Sequence, residues 1–376
     1  MKFVCTYTDG KVGVGQELAG YLAENGEDFV FLEHPIVPGT GRVSQLSTYR
    51  VGKLENQVSI GAPGCGAMRH YVRCFATTFL EMRRRRRDTD LFVGHANVDC
   101  IAARLAGGRR LKIVYVSIDY MPRRFPGSLL NTVFALADRL AYRWADQIWH
   151  SYPDVLRLKP YAKKEKCLDT FHGNNFRRIA RKPLTERNRF GLVYLGGLAP
   201  AAHLEEAMRS VADLKASYPG VSLDIIGASP DADYMERLKL LAGELGVAER
   251  VHWHGLIEKS EDFERIMTGL GVALCLYEMT PERPSWYQLP GKVFAYAACG
   301  LPTIVLDSGG PVAVEWTRAN NIGIVTELGR LSATVEALFC DEARHSALAD
   351  SAVEWASRYD WHAKFRRYLG TVNKCA

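Results

Sequence analysis

Apolar runs of strand length alternate with helical stretches along almost the whole chain, and the rhythm restarts once. KFVCTY, DFVFLEH, QVSIGA, DLFVGHA, KIVYVSI and QIWHSY mark the first half, and FGLVYLG, VSLDIIGA, RVHWHG, VALCLY and PTIVLD mark the second. Helical patterns such as HLEEAMRSVADLKASY and DYMERLKLLAGELG fill the gaps. Strands separated by helices are the pattern of open parallel sheets covered on both faces. At 376 residues the chain is long enough for two such domains, each with its own core. The stretch between the halves, TFHGNNFRRIARKPLTERNR, carries Gly173, Pro183 and many charges without an apolar period, which places a linker at 174–189. The expectation is therefore an α/β chain with two facing Rossmann-like domains, 1–180 and 190–355. The aromatic-rich segment 356–376 predicts a terminal helix that crosses back and packs on the first domain.

Composition narrows the function classes. No run of about eighteen apolar residues occurs and the N-terminus turns polar after a few residues, so neither a membrane span nor a secretory signal is expected. Nine cysteines without CxxC pairs or histidine clusters read as small buried hydrophobes in a reducing, cytoplasmic compartment. Neither a metal site nor a disulfide framework follows from them. The formal net charge of +6 is uneven: Arg83, Arg84, Arg85, Arg86 and Arg87 run together at the end of a helical pattern, which asks for an anionic partner.

In open parallel sheets, ligands bind beyond the carboxyl ends of strands, where helix N-termini offer free N–H groups. Gly196 and Gly197 follow the first strand of the second half, where glycine lets a phosphate or sugar approach the backbone. A tight strand-to-helix turn needs glycine there as well. The stretch LPGKVFAYAACGLP is sharper. Pro290 and Gly291 open a helix over about Lys292 to Cys299, so Lys292 stands in the first turn, against the helix dipole. That placement costs roughly a few tenths of a kcal/mol unless an anion binds nearby. A diphosphate held by the lysine and the N–H groups of the turn would remove the penalty. The competing explanation is a solvated lysine at a helix end.

LPGKVFAYAACGLPTIV resembles the P-x-K-x-x-E-Y-x-A-x-G-x-P signature in the donor-binding domain of GT-B glycosyltransferases, especially the family 4-like group. YLGG, HLEEAM, LDIIGA, RVHWHG and VALCLY keep that family's order, so the resemblance covers about Phe190 to Glu327. It implies transfer of a sugar from a nucleotide-diphosphate sugar on the C-terminal domain to an acceptor on the N-terminal one. Lys292 and Gly291 would meet the diphosphate, and the backbone around Gly255 would meet the base. No cofactor other than the donor substrate is implied. The chain departs from the family pattern at three positions: Ala295 and Tyr287 replace the two usual glutamates, and Gly197 replaces an arginine. A similar arrangement occurs in the membrane-associated glucuronosyltransferase of xanthan assembly. By that similarity Tyr287 and Ser285 touch the nucleotide or its phosphates and Glu278 takes the ribose, although Tyr287 equally fits interdomain packing.

An inverting transfer needs a base for the acceptor hydroxyl. Asp119 in IVYVSIDYMPRRFPG stands at a strand end and matches a strand-Asp segment of the family; pairing with Arg123 or Arg124 is the structural alternative. His95 in DLFVGHANVD is the rival, at the position where retaining members place a histidine against the donor sugar. A satisfied core histidine is its alternative. Gly13 and Gly15 form a loop after the first strand that suits an acceptor or donor sugar, and the missing third glycine of a dinucleotide fingerprint weakens an oxidoreductase assignment.

RHYVRCFATTFLEMRRRRR interleaves aromatic and aliphatic residues with arginines, as a helix on an anionic membrane surface does. Nucleic acid is the alternative anion and ranks lower because no recognised nucleic-acid module accompanies the patch; a solvated charge run is the plain alternative. The expected function is transfer from a UDP-sugar to a saccharide or polyprenyl-linked acceptor in envelope or exopolysaccharide assembly, in the cytoplasm and peripherally on the inner face of the plasma membrane. A nucleotide-sugar epimerase of the same fold and a degenerate sugar-nucleotide-binding scaffold stay open at this stage.

Overall fold

The computed structural model describes residues 1–8, 13–35, 42–61, 67–118, 120, 128–151, 155–169, 172–229, 231–257, 259–282 and 284–372. The chain divides into two compact units, Met1–Phe171 with Trp361–Ala376, and His172–Asp360.

Unit 1 contains β1 (Lys2–Thr8), α1 (Val14–Glu24), β2 (Phe29–Pro35), β3 (Ser44–Arg50), β4 (Lys53–Ile60), α2 (Ala67–Arg85), β5 (Leu91–Gly94), α3 (Asn97–Gly107), β6 (Lys112–Ser117), α4 (Ser128–Trp144), β7 (Gln147–His150), α5 (Val155–Leu158) and β8 (Cys167–Asp169). Its sheet runs β4-β3-β2-β1-β5-β6-β7-β8. Six strands are parallel, but β3 and β4 form an antiparallel edge on β2. The all-parallel expectation is corrected here. β3, SQLSTYR, has no apolar run, and β4, whose end QVSIGA marks, is exposed along almost its whole length, so it is not a buried parallel strand. Their hairpin turns at Val51 and Gly52, both at positive φ. Gly52 is required, because a Cβ there would lie 2.0 Å from the Ala23 carbonyl oxygen.

Unit 2 contains β9 (Asn188–Leu195), α6 (Leu204–Leu214), β10 (Ser222–Ile226), α7 (Ala232–Glu244), β11 (Val251–Gly255), α8 (Ser260–Met267), β12 (Leu270–Cys275), α9 (Gly291–Ala298), β13 (Thr303–Leu306), α10 (Pro311–Ala319), β14 (Gly323–Thr326), α11 (Leu331–Cys340) and α12 (Glu342–Ser357). Its six strands run β11-β10-β9-β12-β13-β14, all parallel. β10, β12 and β13 are buried along their whole length, which explains their continuous apolar runs. The chain walks outward from β9 to β11, then returns to β12 on the other side of β9. That reversal makes the β9–β12 junction a topological switch point, where open α/β sheets bind ligands.

The segment read as a linker belongs to unit 2. Arg181 donates to the Ala298 carbonyl at 3.1 Å, and Arg187 donates to Cys299 and Gly300, each at 3.0 Å. Two cations thereby satisfy the last carbonyls of α9, where the helix dipole favours them. The final helix, α13 (Trp361–Val372), lies in unit 1. Its Phe365, Tyr368 and Val372 join the core formed by Val4, Phe29, Val93, Val114 and Trp149, and Gln147 donates to Thr371 at 3.0 Å.

Candidate functional site

The sharpest electrostatic feature of unit 2 lies at its switch point. Pro290 precedes α9, Gly291 is its first residue, and Lys292 follows. The helix is fixed by Tyr296, whose hydroxyl donates to the Leu274 carbonyl at 3.0 Å and accepts from the Leu195 N–H at 2.7 Å, tying α9 to both central strands. The Lys292 ammonium is buried and has no hydrogen-bond partner. It stands 4.3 Å from the ring centroids of both Tyr194 and Tyr277. Burial lowers its pKa to about 8, against a smaller opposing effect of Cys275.

Around the ammonium the chain has little side-chain bulk. A Cβ on Gly196 would lie 2.9 Å from Lys292 Nζ, and Gly196 adopts φ +140°. The segments leaving β9, β10 and β11 are laced together: Gly196 N–H donates to Ile226 at 2.9 Å, Leu198 to Ala228 at 3.1 Å, and Gly227 to Gly255 at 2.8 Å. A side chain on Gly227 would strike the Gly196 carbonyl at 1.9 Å. Tyr194 and Tyr277 both donate to the Gly197 carbonyl, at 2.8 and 2.6 Å. The structure therefore brings Gly291, Lys292, Gly196, Gly197 and Gly255 to one side of this sheet's strand ends. Glu278 is exposed beside Tyr277, with its carboxylate 3.7 Å from His203. Tyr287 ends a short 3₁₀ turn, Pro284–Tyr287, before α9. The side chain of Ser285 lies outside the described residues. Tyr194 and Tyr277 were absent from the sequence expectation.

Unit 1 carries a separate cavity of about 230 Å³ at the carboxyl ends of β1, β5 and β6, lined by Tyr7, Gly13, His95, Asn97, Ser117 and Lys159 among others. His95 Nδ1 meets the Cys5 carbonyl at 2.9 Å, so that nitrogen carries the proton. Nε2 is buried without a partner, and burial lowers the ring's pKa to about 4. His95 is thus a neutral acceptor. Gly13 lines the cavity, whereas Gly15 is a packing requirement of α1 on β1, since a Cβ there would lie 2.4 Å from Thr6 Oγ1. Lys159 is paired with Asp138, which also accepts from Tyr115 at 2.8 Å and Tyr161 at 2.6 Å. Asp119, with Arg123 and Arg124, lies outside the described residues.

Behind the cavity, Cys5, His34 and Asp99 are the one group of described His, Cys, Asp or Glu residues close enough to share an ion, with ligand atoms within 4.8 Å. The Thr78 hydroxyl fills that space, 2.9 Å from His34 Nε2, 3.1 Å from Asp99 Oδ1 and 3.7 Å from Cys5 Sγ. Burial pushes the Cys5 thiol well up, away from the thiolate a metal needs. The trio is a hydrogen-bonded core network centred on Thr78. Burial also raises Asp99 to about 7.

The arginine run splits. Arg84 and Arg85 bind the buried Glu81 carboxylate, while Arg86 and Arg87 line a groove with Arg110 and Lys112 at the start of β5 and β6. The run therefore sits at the opposite end of β5 from His95. It belongs to a wider surface. α2, α3 and α4 expose Val72, Leu80, Leu105, Leu129, Val133 and Leu136, six of the twelve exposed large hydrophobic residues among those described. Each helix holds one acidic residue, Glu81, Asp99 and Asp138, and all three are buried. The exposed charged residues of these helices are all arginines: Arg69, Arg73, Arg83, Arg84, Arg139 and Arg143.

Comparison with known proteins accords with this geometry. Residues 189–340 match the Glycosyl transferases group 1 family. The whole chain superimposes on HepE of Anabaena in complex with UDP-glucose, covering 100% of both chains at a TM-score of 0.70 and 14% identity. It likewise superimposes on WaaG, a glycosyltransferase involved in lipopolysaccharide biosynthesis, covering 99% of both chains at a TM-score of 0.67 and 12% identity. The chain has the GT-B fold, and its match to the Glycosyl transferases group 1 family lies within unit 2. A curated relative is the GDP-mannose-dependent alpha-(1-6)-phosphatidylinositol monomannoside mannosyltransferase of Mycolicibacterium smegmatis, 26% identical over 193 residues. That match spans 48% of this chain and 48% of the relative, about half of each. The matched residues include Gly196, Gly197, Gly255, Tyr277 and Lys292.

Proposed function

We propose that the protein transfers a sugar from a nucleotide-diphosphate sugar, with UDP as the nucleotide, to a saccharide or lipid-linked saccharide acceptor. The observation that carries this is the buried, hydrogen-bond-free Lys292 ammonium at the switch point, beside Gly196 and the first turn of α9. In the reaction the acceptor oxygen bonds to the anomeric carbon as the bond to the diphosphate oxygen breaks. The electron pair leaves with the diphosphate, and Lys292 with the α9 N–H groups stabilises that charge. The acceptor proton passes to a base. With a pKa of about 4, His95 is an uncharged acceptor for a sugar hydroxyl, and Asp119 is the base we propose for an inverting transfer. The roles of Tyr287, Ser285 and Glu278 toward the nucleotide belong to the same proposal, as does the HepE complex with UDP-glucose in its favour.

The α2–α4 face supports peripheral contact with an anionic membrane, where exposed aliphatic side chains enter the interface and each arginine near acidic lipid adds about 1 kcal/mol. No helix among the described residues is long and apolar enough to cross a membrane. A lipid-linked acceptor, as in envelope or exopolysaccharide assembly, fits that surface. The test is turnover of UDP-sugars with saccharide and lipid-linked acceptors. Release of UDP that requires an acceptor and is lost in Lys292→Met supports the proposal; conversion of the UDP-sugar without any acceptor identifies an epimerase instead.

A further inference from the structure

A buried ammonium ordinarily has a carboxylate partner, because an unpaired charge in a low-dielectric interior costs several kcal/mol by ion-desolvation arguments. Lys292 has none: no described acidic group lies within 4.0 Å of its nitrogen, and α9 carries no other ionisable side chain besides tyrosine. Its neighbours are two tyrosine rings, the Gly196 Cα and the Cys275 thiol. The rings come from the two strands that flank the switch point, Tyr194 from β9 and Tyr277 from just beyond β12. Both hydroxyls donate to one carbonyl, Gly197, which orients both rings.

We propose that Tyr194 and Tyr277 form an aromatic seat that stabilises the Lys292 ammonium without neutralising it, and that Tyr277 is thereby a positioning residue for the donor diphosphate. The inference rests on the donor-site assignment above. A carboxylate in the same place would satisfy the lysine and also repel a diphosphate. A ring face attracts the cation through its quadrupole and carries no net charge, so the site keeps its full attraction for an anion. The arrangement also couples binding to protons. Burial disfavours the ammonium, and the rings offset part of that effect. An arriving diphosphate would favour the charged form, so the protein should take up a proton on binding once the pH exceeds about 8.

The test is UDP binding to the full chain by calorimetry between pH 7 and 9 in buffers of different ionisation enthalpy. Wild-type affinity should fall as pH rises through about 8, with proton uptake growing over the same interval. Tyr277→Leu should weaken UDP binding at pH 7 by about tenfold, the size of one desolvated cation–π contact. It should also move the fall in affinity to lower pH. Tyr277→Phe keeps the ring, loses only the hydroxyl and should retain the wild-type pH profile. A Leu variant with the wild-type profile would overturn the inference, as would a Phe variant as impaired as the Leu one, which would assign Tyr277 to holding the Gly197 loop. Lys292→Met separates the two levels of the argument: unchanged UDP binding there overturns the donor site itself, whereas lost binding beside an indifferent Tyr277→Leu overturns only the aromatic seat.

Discussion

The two units treat ionisable groups at their strand ends in opposite ways. Unit 2 leaves Lys292 buried, unpaired and cushioned by rings, so a net positive charge waits at the switch point. Around its own cavity unit 1 removes charge: Lys159 is matched by Asp138, burial holds His95 and His34 neutral, and Asp99 rises to about 7. A diphosphate needs the first environment. An uncharged polyol, read by hydroxyl groups and imidazole nitrogens, suits the second. The surfaces differ as well, since among the described residues ten of the twelve exposed large hydrophobic ones lie on unit 1 and two, Leu240 and Leu256, on unit 2.

The contrast can be broken first at its strongest point. Lys292→Met removes the charge and keeps the stem, and UDP affinity should fall by roughly 30- to 150-fold, the loss of charge-assisted bonds worth about 2–3 kcal/mol. Without nucleotide the same variant should melt higher, because a desolvated cation is gone. A calorimetric titration and a thermal scan read both; a lower melting temperature would make the lysine structural. Next in size is Gly196→Ala, which places a methyl against Nζ and strains a backbone at φ +140°. UDP binding should weaken by about tenfold, within the usual cost of a strained residue. Far-ultraviolet circular dichroism checks that the fold survives.

Membrane contact is a unit 1 prediction. Replacing Leu129, Val133 and Leu136 together by Asp should abolish sedimentation with vesicles rich in anionic lipid and leave UDP binding unchanged. Equal sedimentation of variant and wild type would remove the α2–α4 face from the account. The last prediction concerns Asp99, in the interior of unit 1. Its folded-state pKa is raised, so the fold favours the neutral acid, and the group costs progressively more stability as pH climbs from about 4 to about 7. Asp99→Asn should therefore gain melting temperature relative to wild type above pH 7, with the gain vanishing near pH 4. A gain that did not depend on pH would show that Asp99 does not titrate in that interval.

Sequence alone made Lys292 conspicuous because a Pro-Gly opening and a lysine in the first helical turn are local features. Its seat was illegible for the opposite reason. Tyr194 reads as strand core and Tyr277 as the last residue of the strand VALCLY, and only the β9–β12 pairing brings them together on one carbonyl. Most of the parallel strands announced themselves as apolar runs, and QVSIGA marked the end of β4, but β3, SQLSTYR, gave no such run and nothing in QVSIGA showed that its strand is exposed and antiparallel. Burial of Glu81, Asp99 and Asp138 could not be read from helical periodicity either, so the basic face first looked confined to Arg69–Arg87.

The most direct measurement is a structure of the full chain with an intact UDP-sugar. The account predicts diphosphate oxygens within about 2.7–2.9 Å of Lys292 Nζ, the range of a charge-assisted bond, with the pyrophosphate against Gly196 and the first turn of α9. Nucleotide bound elsewhere, with the Lys292 ammonium still touching only the two tyrosine rings, would contradict it.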